Sequence, residues 1–292
     1  MEQRIKGTTG LLALIGSPVG HSGSPAMYNF SFQYHNLDYA YMAFDIKEDQ
    51  VPAALDAMRL FKMRGCNVTM PCKNKVAQCV DELSPAAEMC GAVNTIVNDH
   101  GHLTGHITDG IGFMAALKDN NINAIGKKMA IVGAGGAATA IEIQAALDGV
   151  GEIVIFNRKD EFWGRAVSTV EKINTRTSSH AVLYDLADLD QLKKEMADSY
   201  IFVNATGVGM KPLEGQSVVP DKSYFRPELI VVDVPYSPLE TAMRSMAKEV
   251  GCKTMNGLGM MLFQGSAAFE LWTGEPMPIE HMKEILNIRY DD

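Results

Sequence analysis

Two short polar motifs in the first half of the chain contain residue types that can transfer a proton. The first is Asn67-Val68-Thr69-Met70-Pro71-Cys72-Lys73, and the second is Gly105-His106-Ile107-Thr108-Asp109-Gly110. A lysine and an aspartate close to a bound hydroxyl can take its proton while a neighbouring cofactor takes a hydride. Lys73 and Asp109 are therefore candidate acid–base residues. Taken singly, each motif favours a plainer interpretation, in which Lys73 is a solvated helix-start residue and Asp109 caps a helix.

A glycine-rich loop farther along the chain offers a place for such a cofactor. It has the sequence Gly133-Ala134-Gly135-Gly136-Ala137-Ala138, follows a predicted strand and opens a predicted helix. Glycines permit the tight turn and let backbone N–H groups approach a pyrophosphate, which the helix N-terminus stabilises. We therefore predict a dinucleotide-binding loop, formed by Gly133, Ala134, Gly135, Gly136 and Ala137. An ordinary strand–turn–helix is the competing interpretation.

The residues after the next predicted strand bear on the choice of cofactor. The strand ends in Asn157-Arg158-Lys159-Asp160. NAD binding usually places an acid at this point on the ribose hydroxyls, whereas NADP binding needs a cation for the 2′-phosphate. Asp160 favours NAD, while Arg158 and Lys159 favour a phosphate, and Arg158 could equally be solvated. We predict NAD as the preferred cofactor and NADP as a second one.

Two serines near the N-terminus suit a carboxylate ligand. Ser22 and Ser24 flank Gly23 at the start of a predicted helix, and hydroxyls at a helix N-terminus can bind an anion. Ser24 is also the predicted N-cap of that helix, with Pro25 at its first position, and it could serve both purposes. Asn94 lies at the end of a strand, where its side chain either binds the substrate or stabilises a turn.

The composition narrows the class of protein. With 292 residues, of which 47% are hydrophobic and 21% charged, the chain suits a soluble enzyme of two domains. A net charge of −9 argues against a nucleic-acid surface, and no apolar run approaches the about 18 residues of a membrane span. Five cysteines without a Cys-x-x-Cys pair indicate reduced thiols in a cytoplasmic protein, and the histidines show no metal-ligand spacing. We expect a small-molecule substrate, no metal, and a monomer or homodimer.

Hydrophobic patterns in the first part of the chain predict an α/β domain. Strands are expected at 11–16, 39–46 and 66–70, helices at 24–36 and 50–61, and a hairpin of strands 93–97 and 102–107 around the turn Asp99-His100-Gly101. This alternation indicates a mainly parallel sheet.

A second alternation begins near Gly126 and has the pattern of a doubly wound Rossmann-type domain. Its predicted strands are 128–133, 152–157, 200–204 and 229–234, and its helices are 137–147, 162–174 and one between 238 and 250. An apolar helix at 260–272 contains Gln264, which needs a polar partner if it is buried. A last helix starts at Ile279. We predict a substrate-binding domain of residues 1–112 and 257–292, a dinucleotide-binding domain of residues 113–256, and an active cleft between them.

Taken in order, the motifs resemble the shikimate dehydrogenase family, and most closely its quinate/shikimate dehydrogenase branch. The resemblance includes the two proton-transfer motifs and the glycine loop, together with His21-Ser22-Gly23-Ser24-Pro25, Ala92-Val93-Asn94-Thr95, Asn157-Arg158, Asn204-Ala205-Thr206, Pro235-Tyr236-Ser237-Pro238, Gln264-Gly265 and Trp272-Thr273-Gly274. It implies reversible oxidation of the shikimate 3-hydroxyl to 3-dehydroshikimate, with quinate accepted in some branches. The chain departs from the family at Ile107, where asparagine is frequent, and at Gly207, where the dual-cofactor relative has a lysine.

The resemblance also implies roles for individual residues. Ser22 and Ser24 would bind the substrate carboxylate, and Lys73 and Asp109 would form the proton relay. The other substrate residues would be Tyr41, Thr69, Asn94, Tyr236 and Gln264. The cofactor residues beyond the glycine loop would be Asn157, Arg158, Asp160, Thr206, Val234 and Gly257.

Two alternatives remain at this stage. One is a paralogue that acts on a related cyclic polyol acid, such as an amino-substituted analogue. The other is a dinucleotide-binding regulator without turnover. The intact pair of Lys73 and Asp109 favours an enzyme, because a binding module needs no proton relay.

Overall fold

The computed structural model describes residues 5–286, which divide into two compact units. The first unit comprises residues 5–108 and 264–286, and the second comprises residues 109–263. Each unit is built on a six-stranded sheet. Among the described residues, no helix is long and apolar enough to cross a membrane.

The first unit begins with alternating strands and helices. Its strands are β1 (Gly10–Gly16), β2 (Tyr39–Asp45), β3 (Gly65–Val68), β4 (Glu82–Leu83), β5 (Thr95–Asp99) and β6 (His102–His106), and its first helices are α1 (Ser24–Tyr34), α2 (Val51–Leu60), α3 (Lys73–Ala77) and α4 (Pro85–Cys90). The strand order is β2-β1-β3-β5-β6-β4. Only β5 runs antiparallel to its neighbours, so the mainly parallel sheet predicted from the sequence is confirmed.

The hairpin of β5 and β6 closes at the predicted turn. Asp99 pairs with His102, and the two residues between them, His100 and Gly101, have φ angles of +52° and +99°. Positive φ at both central positions is the geometry whose twist matches a two-residue hairpin. The Asp-His-Gly sequence therefore fixes the register of the two strands that flank the site residues described below.

The start of α1 differs from the prediction. Gly23 is the N-cap and makes no side-chain capping bond, while Ser24 and Pro25 are already helical. The hydroxyl of Ser22 instead accepts the N–H of Ser24 at 3.2 Å. The predicted N-cap role of Ser24 is therefore wrong, because the hydroxyl that satisfies the first N–H group belongs to Ser22.

The second unit is a doubly wound α/β domain. Its strands are β7 (Lys128–Val132), β8 (Glu152–Asn157), β9 (His180–Asp185), β10 (Ile201–Asn204), β11 (Ile230–Asp233) and β12 (Thr254–Asn256), and its helices are α5 (Asp109–Asp119), α6 (Gly136–Leu147), α7 (Trp163–Arg176), α8 (Leu189–Asp198) and α9 (Ala242–Val250). All strand pairs are parallel, in the order β12-β11-β10-β7-β8-β9. This is the strand order of dinucleotide-binding domains, so the Rossmann-type prediction is confirmed.

A glutamate lies inside the apolar packing of α6. Glu142 has no exposed surface, and neither carboxyl oxygen has a hydrogen-bond partner among the described residues. Because burial disfavours the charged form, the pKa of Glu142 rises to about 8. The folded domain therefore holds this carboxyl group in its protonated form at neutral pH.

Two helices complete the chain, α10 (Leu258–Thr273) and α11 (Ile279–Leu286). Near the end of α10, the buried indole N–H of Trp272 donates to the carbonyl of Ile96 at 2.9 Å, and Arg64 Nε donates to the carbonyl of Trp272 at 2.8 Å. A side chain at Gly65 would collide with the Trp272 ring. The C-terminal half of α10 is therefore an integral part of the core of the first unit.

Candidate active site

The candidate residues of the first unit lie at one edge of its sheet. Ser22 and Ser24 follow β1, Thr69 follows β3, and Asn94 precedes the antiparallel β5, whose Thr95 pairs with Asn67 of β3. All these positions are at the carboxyl end of β1 and β3. In open α/β sheets, ligands bind in the crevice outside this edge.

The loop after β1 is fixed to the segment that leads to Lys73. The N–H of Ser17 donates to the carbonyl of Met70 at 3.0 Å, and the N–H of Thr69 donates to the carbonyl of Ile15 at 2.9 Å. Gly16 has a φ of +148°, and a side chain there would collide with Thr69. The close approach of these two backbones thus requires glycine at position 16 and holds the serine loop beside Thr69.

Asn94 is the centre of a buried polar network. It is 3% exposed, and its Oδ1 accepts the backbone N–H of Thr108 at 2.8 Å and the hydroxyl of Thr95 at 3.1 Å. A backbone N–H can only donate, so this contact fixes which end of the carboxamide is the oxygen. The Nδ2 group is therefore the end of Asn94 that remains for a ligand.

Thr108 connects this network to α10. Its hydroxyl lies 3.1 Å from Asn94 Oδ1 and 3.5 Å from Gln264 Oε1, and the residue is completely buried. Gln264 is half-buried, so the polar partner that its position in an apolar helix required is present. Thr108 therefore brings two of the predicted substrate residues together.

Lys73 and Asp109 are both connected through the backbone to the segment around Asn94. Lys73 is the first residue of α3, and its carbonyl accepts the N–H of Val93 at 3.0 Å. Asp109 is the residue after Thr108 and the first residue of α5. Both backbones are thus tied to the segment that carries Asn94.

Tyr41 lies in the core of the first unit. It is 2% exposed, and its hydroxyl donates to Asn67 Oδ1 at 2.7 Å. Asn67 Nδ2 in turn donates to the carbonyl of Asn94 at 3.3 Å and to the hydroxyl of Thr95 at 3.1 Å. Tyr41 is therefore connected to the network around Asn94 through the side chain of Asn67.

Cys72, the neighbour of Lys73, is a buried thiol. Its Sγ–H donates to the carbonyl of Ile46 at 3.3 Å, and burial raises the pKa of the thiol. A thiol in this state is a poor nucleophile, because the thiolate is the reactive form. The Cys72 side chain therefore packs this segment against Ile46.

In the second unit, the glycine loop joins β7 to the N-terminus of α6. Gly133 has a φ of +126°, and a side chain there would lie 2.9 Å from the carbonyl oxygen of Ala205. Side chains at Gly135 or Gly136 would meet only open space. The first glycine is thus needed for the turn, whereas the other two leave the N–H groups of α6 accessible to an anion such as a pyrophosphate.

The turn after β8 is organised by Asp160. Its Oδ1 accepts from the Asn157 side chain at 3.1 Å and from the N–H of Phe162 at 3.0 Å, and its Oδ2 lies 3.4 Å from the exposed guanidinium of Arg158. Lys159 points to Asp185, with its Nζ 3.3 Å from a carboxylate oxygen. One oxygen of Asp160 thus accepts the hydrogen bonds that shape the turn, and the other forms an ion pair with Arg158.

The remaining cofactor candidates follow the next strands of the same sheet. Thr206 comes after β10, next to β7, at the point where the strand order reverses. Val234 follows β11, and its carbonyl fills the space that a side chain at Gly257 would need. Tyr236, a predicted substrate residue, is 46% exposed. Dinucleotides bind across this reversal point in doubly wound folds.

Sequence reasoning missed the residues that hold the site residues in place. Asn67 and Thr108 belong to the motifs, but neither was singled out for a role of its own. Both are polar and buried, and such groups need partners. The available signal was their place in the sequence, Thr108 directly before Asp109 and Asn67 two residues before Thr69, but the identity of their partners depends on the fold.

A cavity elsewhere in the first unit is lined by none of the candidate residues. It has a volume of about 820 Å³ and opens at the amino ends of β1 and β2, beside Gly10 and Tyr39. Its walls also contain Arg59, Lys62 and Arg64. Since ligand sites of open α/β sheets lie at the carboxyl ends of the strands, size alone does not make this cavity the active site.

Comparison with known proteins gives matches along almost the entire chain. A family model for the substrate binding domain of shikimate dehydrogenase matches residues 14–96, and one for the C-terminal domain of shikimate 5′-dehydrogenase matches residues 257–286. A protein of Listeria innocua named shikimate dehydrogenase (NADP(+)) is 56% identical over 284 residues, or 97% of this chain and 98% of that protein.

Solved structures show the same relationship. Shikimate 5-dehydrogenase from Listeria monocytogenes, in complex with shikimate and NAD, is 55% identical with a TM-score of 0.96, covering 98% of this chain and 99% of that one. Quinate dehydrogenase from Corynebacterium glutamicum, in complex with NAD, is 30% identical with a TM-score of 0.84, covering 96% of this chain and 99% of that one.

Proposed function

Since the chain belongs to the shikimate dehydrogenase family and is an oxidoreductase, we propose that it catalyses the reversible oxidation of shikimate to 3-dehydroshikimate. The observation that carries this proposal is 56% identity, over 97% of the chain, to a shikimate dehydrogenase. A relative at 55% identity was solved with shikimate and NAD. The buried network around Asn94 supports the proposal, because a ring with several hydroxyls is recognised by donors and acceptors of fixed orientation.

The first unit supplies the substrate contacts in this proposal. Ser22 and Ser24 bind the carboxylate at the start of α1, where backbone N–H groups favour an anion. Thr69, Asn94 and Gln264 bind the ring hydroxyls, with Asn94 donating from Nδ2 because its oxygen is occupied by Thr108. Tyr41 acts through Asn67, and Tyr236 is a further proposed substrate residue.

Lys73 and Asp109 form the proton relay. In the oxidation, the carbinol C–H bond breaks with its electron pair, the O–H bond gives its proton to the Lys73–Asp109 pair, and a C=O bond forms. The bound nicotinamide supplies the hydride acceptor. In the reverse direction the ammonium of Lys73 stabilises the developing oxyanion and returns the proton. Support comes from the backbone bond between Lys73 and Val93 and from the position of Asp109 directly after Thr108, whose N–H donates to Asn94.

The second unit binds the dinucleotide. Gly133, Ala134, Gly135, Gly136 and Ala137 receive the pyrophosphate at the N-terminus of α6, whose open approach fits such a group. Asn157, Arg158 and Asp160 hold the adenosine ribose, and the other contacts come from Thr206, Val234 and Gly257.

The charges of the 157–160 turn support the use of both NAD and NADP. Asp160 opposes a 2′-phosphate, but Arg158 lies beside it and Lys159 is paired with Asp185. With one acid facing the ribose and one exposed cation next to it, we expect a modest preference for NAD. The Listeria innocua relative is named for NADP(+), which makes an NADP preference the competing outcome.

Quinate is a second candidate substrate. It is also a cyclic polyol carboxylate, and quinate dehydrogenase from Corynebacterium glutamicum covers 96% of the chain. An enzyme that accepts both compounds would use the same serines for both carboxylates.

The proposal is tested by a crossed assay of the purified protein. Shikimate and quinate are each combined with NAD and NADP, and formation of the reduced nicotinamide is followed by its absorbance. We expect turnover with shikimate and both cofactors. Absence of turnover with every combination, in a folded protein that binds a dinucleotide, would instead favour a binding protein or a different substrate.

A further inference from the structure

A buried carboxylate at the end of β11 is not used by the proposed chemistry. Asp233 has no exposed surface, and each of its oxygens accepts one hydrogen bond. Oδ1 accepts from the Asn204 side chain at 2.7 Å, and Oδ2 accepts from the hydroxyl of Thr241. A buried charge is costly unless it is fully hydrogen-bonded, so this arrangement requires a reason.

The first partner, Asn204, shapes the loop that carries Thr206. Asn204 Oδ1 accepts from the N–H of Thr206 at 3.1 Å and from its hydroxyl at 2.7 Å. Asn204 Nδ2 also donates to the carbonyl of Val208 at 3.1 Å. With both ends of the carboxamide in use, the rotation of Asn204, and hence the position of Thr206, is fixed by the bond to Asp233.

The second partner, Thr241, shapes the segment after β11. Its hydroxyl donates to Asp233 and accepts the N–H of Arg244 at 3.3 Å, which caps α9. Its methyl group lies close to Gly209, whose φ is +100°. One carboxylate thus reaches the loop after β10 on one side and the segment from Val234 to Thr241 on the other.

We propose that Asp233 is a positioning residue for the dinucleotide, which fixes Thr206 through Asn204 and the segment after Val234 through Thr241. The inference rests on the proposed function, in which both loops contact the cofactor. The required form is the ionised one, because only a carboxylate can accept at both oxygens without presenting a proton to a donor.

The groups around Asp233 shift its pKa in both directions. Burial raises its pKa to about 6, although the hydrogen bonds from Thr241 and Asn204 and the charge of Arg244 favour the ionised form. Arg244 is itself buried and lies 3.4 Å from Glu240. The negative charge of Glu240 disfavours the ionised form of Asp233. These are the charged groups that face Asp233 from α9 and from the segment before it. Below pH about 6 the carboxylate takes a proton on one oxygen, so Asp233 can no longer accept from Asn204 and Thr241 as a carboxylate and the pair of hydrogen bonds weakens.

The test compares Asp233→Asn with Asp188→Asn. Asp188 is an exposed N-cap of α8, and asparagine caps a helix equally well, so this control should behave as wild type. For each protein, the dissociation constant of NADH and NADPH is measured by fluorescence between pH about 5 and 8, together with KM values and melting temperature. Asp233→Asn should weaken dinucleotide binding about tenfold or more. The KM of shikimate should change less than about twofold, and binding should lose its dependence on pH near 6.

A second pair of variants keeps the test decisive if Asp233→Asn folds poorly. Thr241→Val removes the hydroxyl and should move the pH dependence of dinucleotide binding to higher pH, because a bond to the charged form is lost. Thr241→Ser should restore it. A purely structural role would lower the melting temperature of Thr241→Val without moving the pH dependence.

Each outcome decides a separate point. Wild-type dinucleotide affinity in Asp233→Asn, or an unmoved pH dependence in Thr241→Val, would overturn the positioning role. A wild type that binds the dinucleotide but turns over neither shikimate nor quinate would overturn the proposed function and leave the positioning role standing. A wild type that binds no dinucleotide would overturn both.

Discussion

Asn94 and Thr108 are joined by a hydrogen bond of 2.8 Å in which the backbone N–H of Thr108 donates to the side-chain oxygen of Asn94. The main chain therefore sets the orientation of the carboxamide, and the hydroxyl of Thr108 adds a second contact at 3.1 Å. The contribution of the backbone N–H of Thr108 can be separated from that of its hydroxyl, since the hydroxyl can be removed by mutation while the N–H remains.

Thr108→Val should weaken substrate binding while leaving the fold intact. The variant keeps the size of the side chain and the backbone bond but removes the hydroxyl shared by Asn94 and Gln264. We expect the free energy of unfolding to fall by about 1 kcal/mol and the KM of shikimate to rise several-fold. Thr104→Val, the same change on β6, should leave KM unaltered. An equal KM in both variants would remove Thr108 from the site.

Lys73→Met should lower turnover by about 10²–10⁴-fold with little change in substrate affinity, because a proton-transfer group acts in the transition state. The measurement is kcat together with a dissociation constant from equilibrium binding. Lys75→Met, two residues farther along α3, is the matched control and should retain normal turnover.

The relay also predicts non-additivity. Asp109→Asn should lose activity alone, and the double variant with Lys73→Met should be little worse than the poorer single variant, since residues that act as a unit share one contribution. Additive losses would show two independent roles.

Ser22→Ala and Ser24→Ala should differ in stability. Both should raise the KM of shikimate about tenfold or more, since each loses a charge-assisted hydrogen bond to the carboxylate. Only Ser22→Ala removes a hydroxyl that accepts an N–H at the start of α1, so it alone should cost about 1 kcal/mol in the free energy of unfolding. Thermal denaturation of the two variants decides this, and a less stable Ser24→Ala would restore the N-cap role to Ser24.

Glu142 should make stability decrease as the pH rises. Its folded-state pKa of about 8 lies above its ordinary value of 4.5, so between these values the folded protein retains a proton that the unfolded chain has released. Stability then falls with pH across this window, with a slope of up to about 1.4 kcal/mol per pH unit, and levels off above pH 8. Toward pH about 8 Asp233, with a pKa of about 6, is almost fully ionised and adds little to this slope.

Glu142→Met should remove this slope and raise the melting temperature at pH about 8 more than at pH about 5, since an apolar side chain needs no partner in that position. Glu142→Gln should also remove the slope but gain less, because its carboxamide stays unpaired. Urea denaturation at several pH values measures both effects. A wild-type slope in Glu142→Met would mean that another group is responsible.

The cofactor preference is best tested with Asp160→Asn. This change removes the charge but keeps an oxygen that can accept from Asn157 and Phe162, so the turn is preserved. The ratio of kcat/KM should shift toward NADP, because the repulsion of the 2′-phosphate is gone. Arg158→Ala should reduce kcat/KM for NADP more than for NAD. If the wild type is strongly selective for NADP, the role assigned to Asp160 is wrong.

The sequence predicted the central strands and the family well. β7 and β8 are covered on both faces and appear as continuous apolar runs, and the family resemblance drawn from the motifs is confirmed by the comparisons. The edge strand β9 and the helix α8 were missed. In α8 only two apolar side chains, Leu192 and Met196, are buried, together with the charged residue Glu195, and β9 is mostly half-buried.

The supporting network could not be predicted in the same way. Asn67 meets Thr95 because β3 and β5 pair in one particular register, and Asn204 meets Asp233 because β10 and β11 are neighbours in the sheet. Neither relationship is local in sequence. Single motifs therefore indicated candidate ligand-binding residues, while the partners of these residues depended on strand order.

The position of Trp272 near the end of the chain has a consequence for biosynthesis. Ile96 and Gly65, against which Trp272 packs, leave the ribosome early, but the part of α10 that covers them is made only after residues 109–263. Residues 109–263 form one uninterrupted stretch and can fold as soon as they emerge. The unit translated first is therefore completed only after the second one, and a nascent chain stalled before Trp272 lacks the side chain that packs against Ile96 and Gly65.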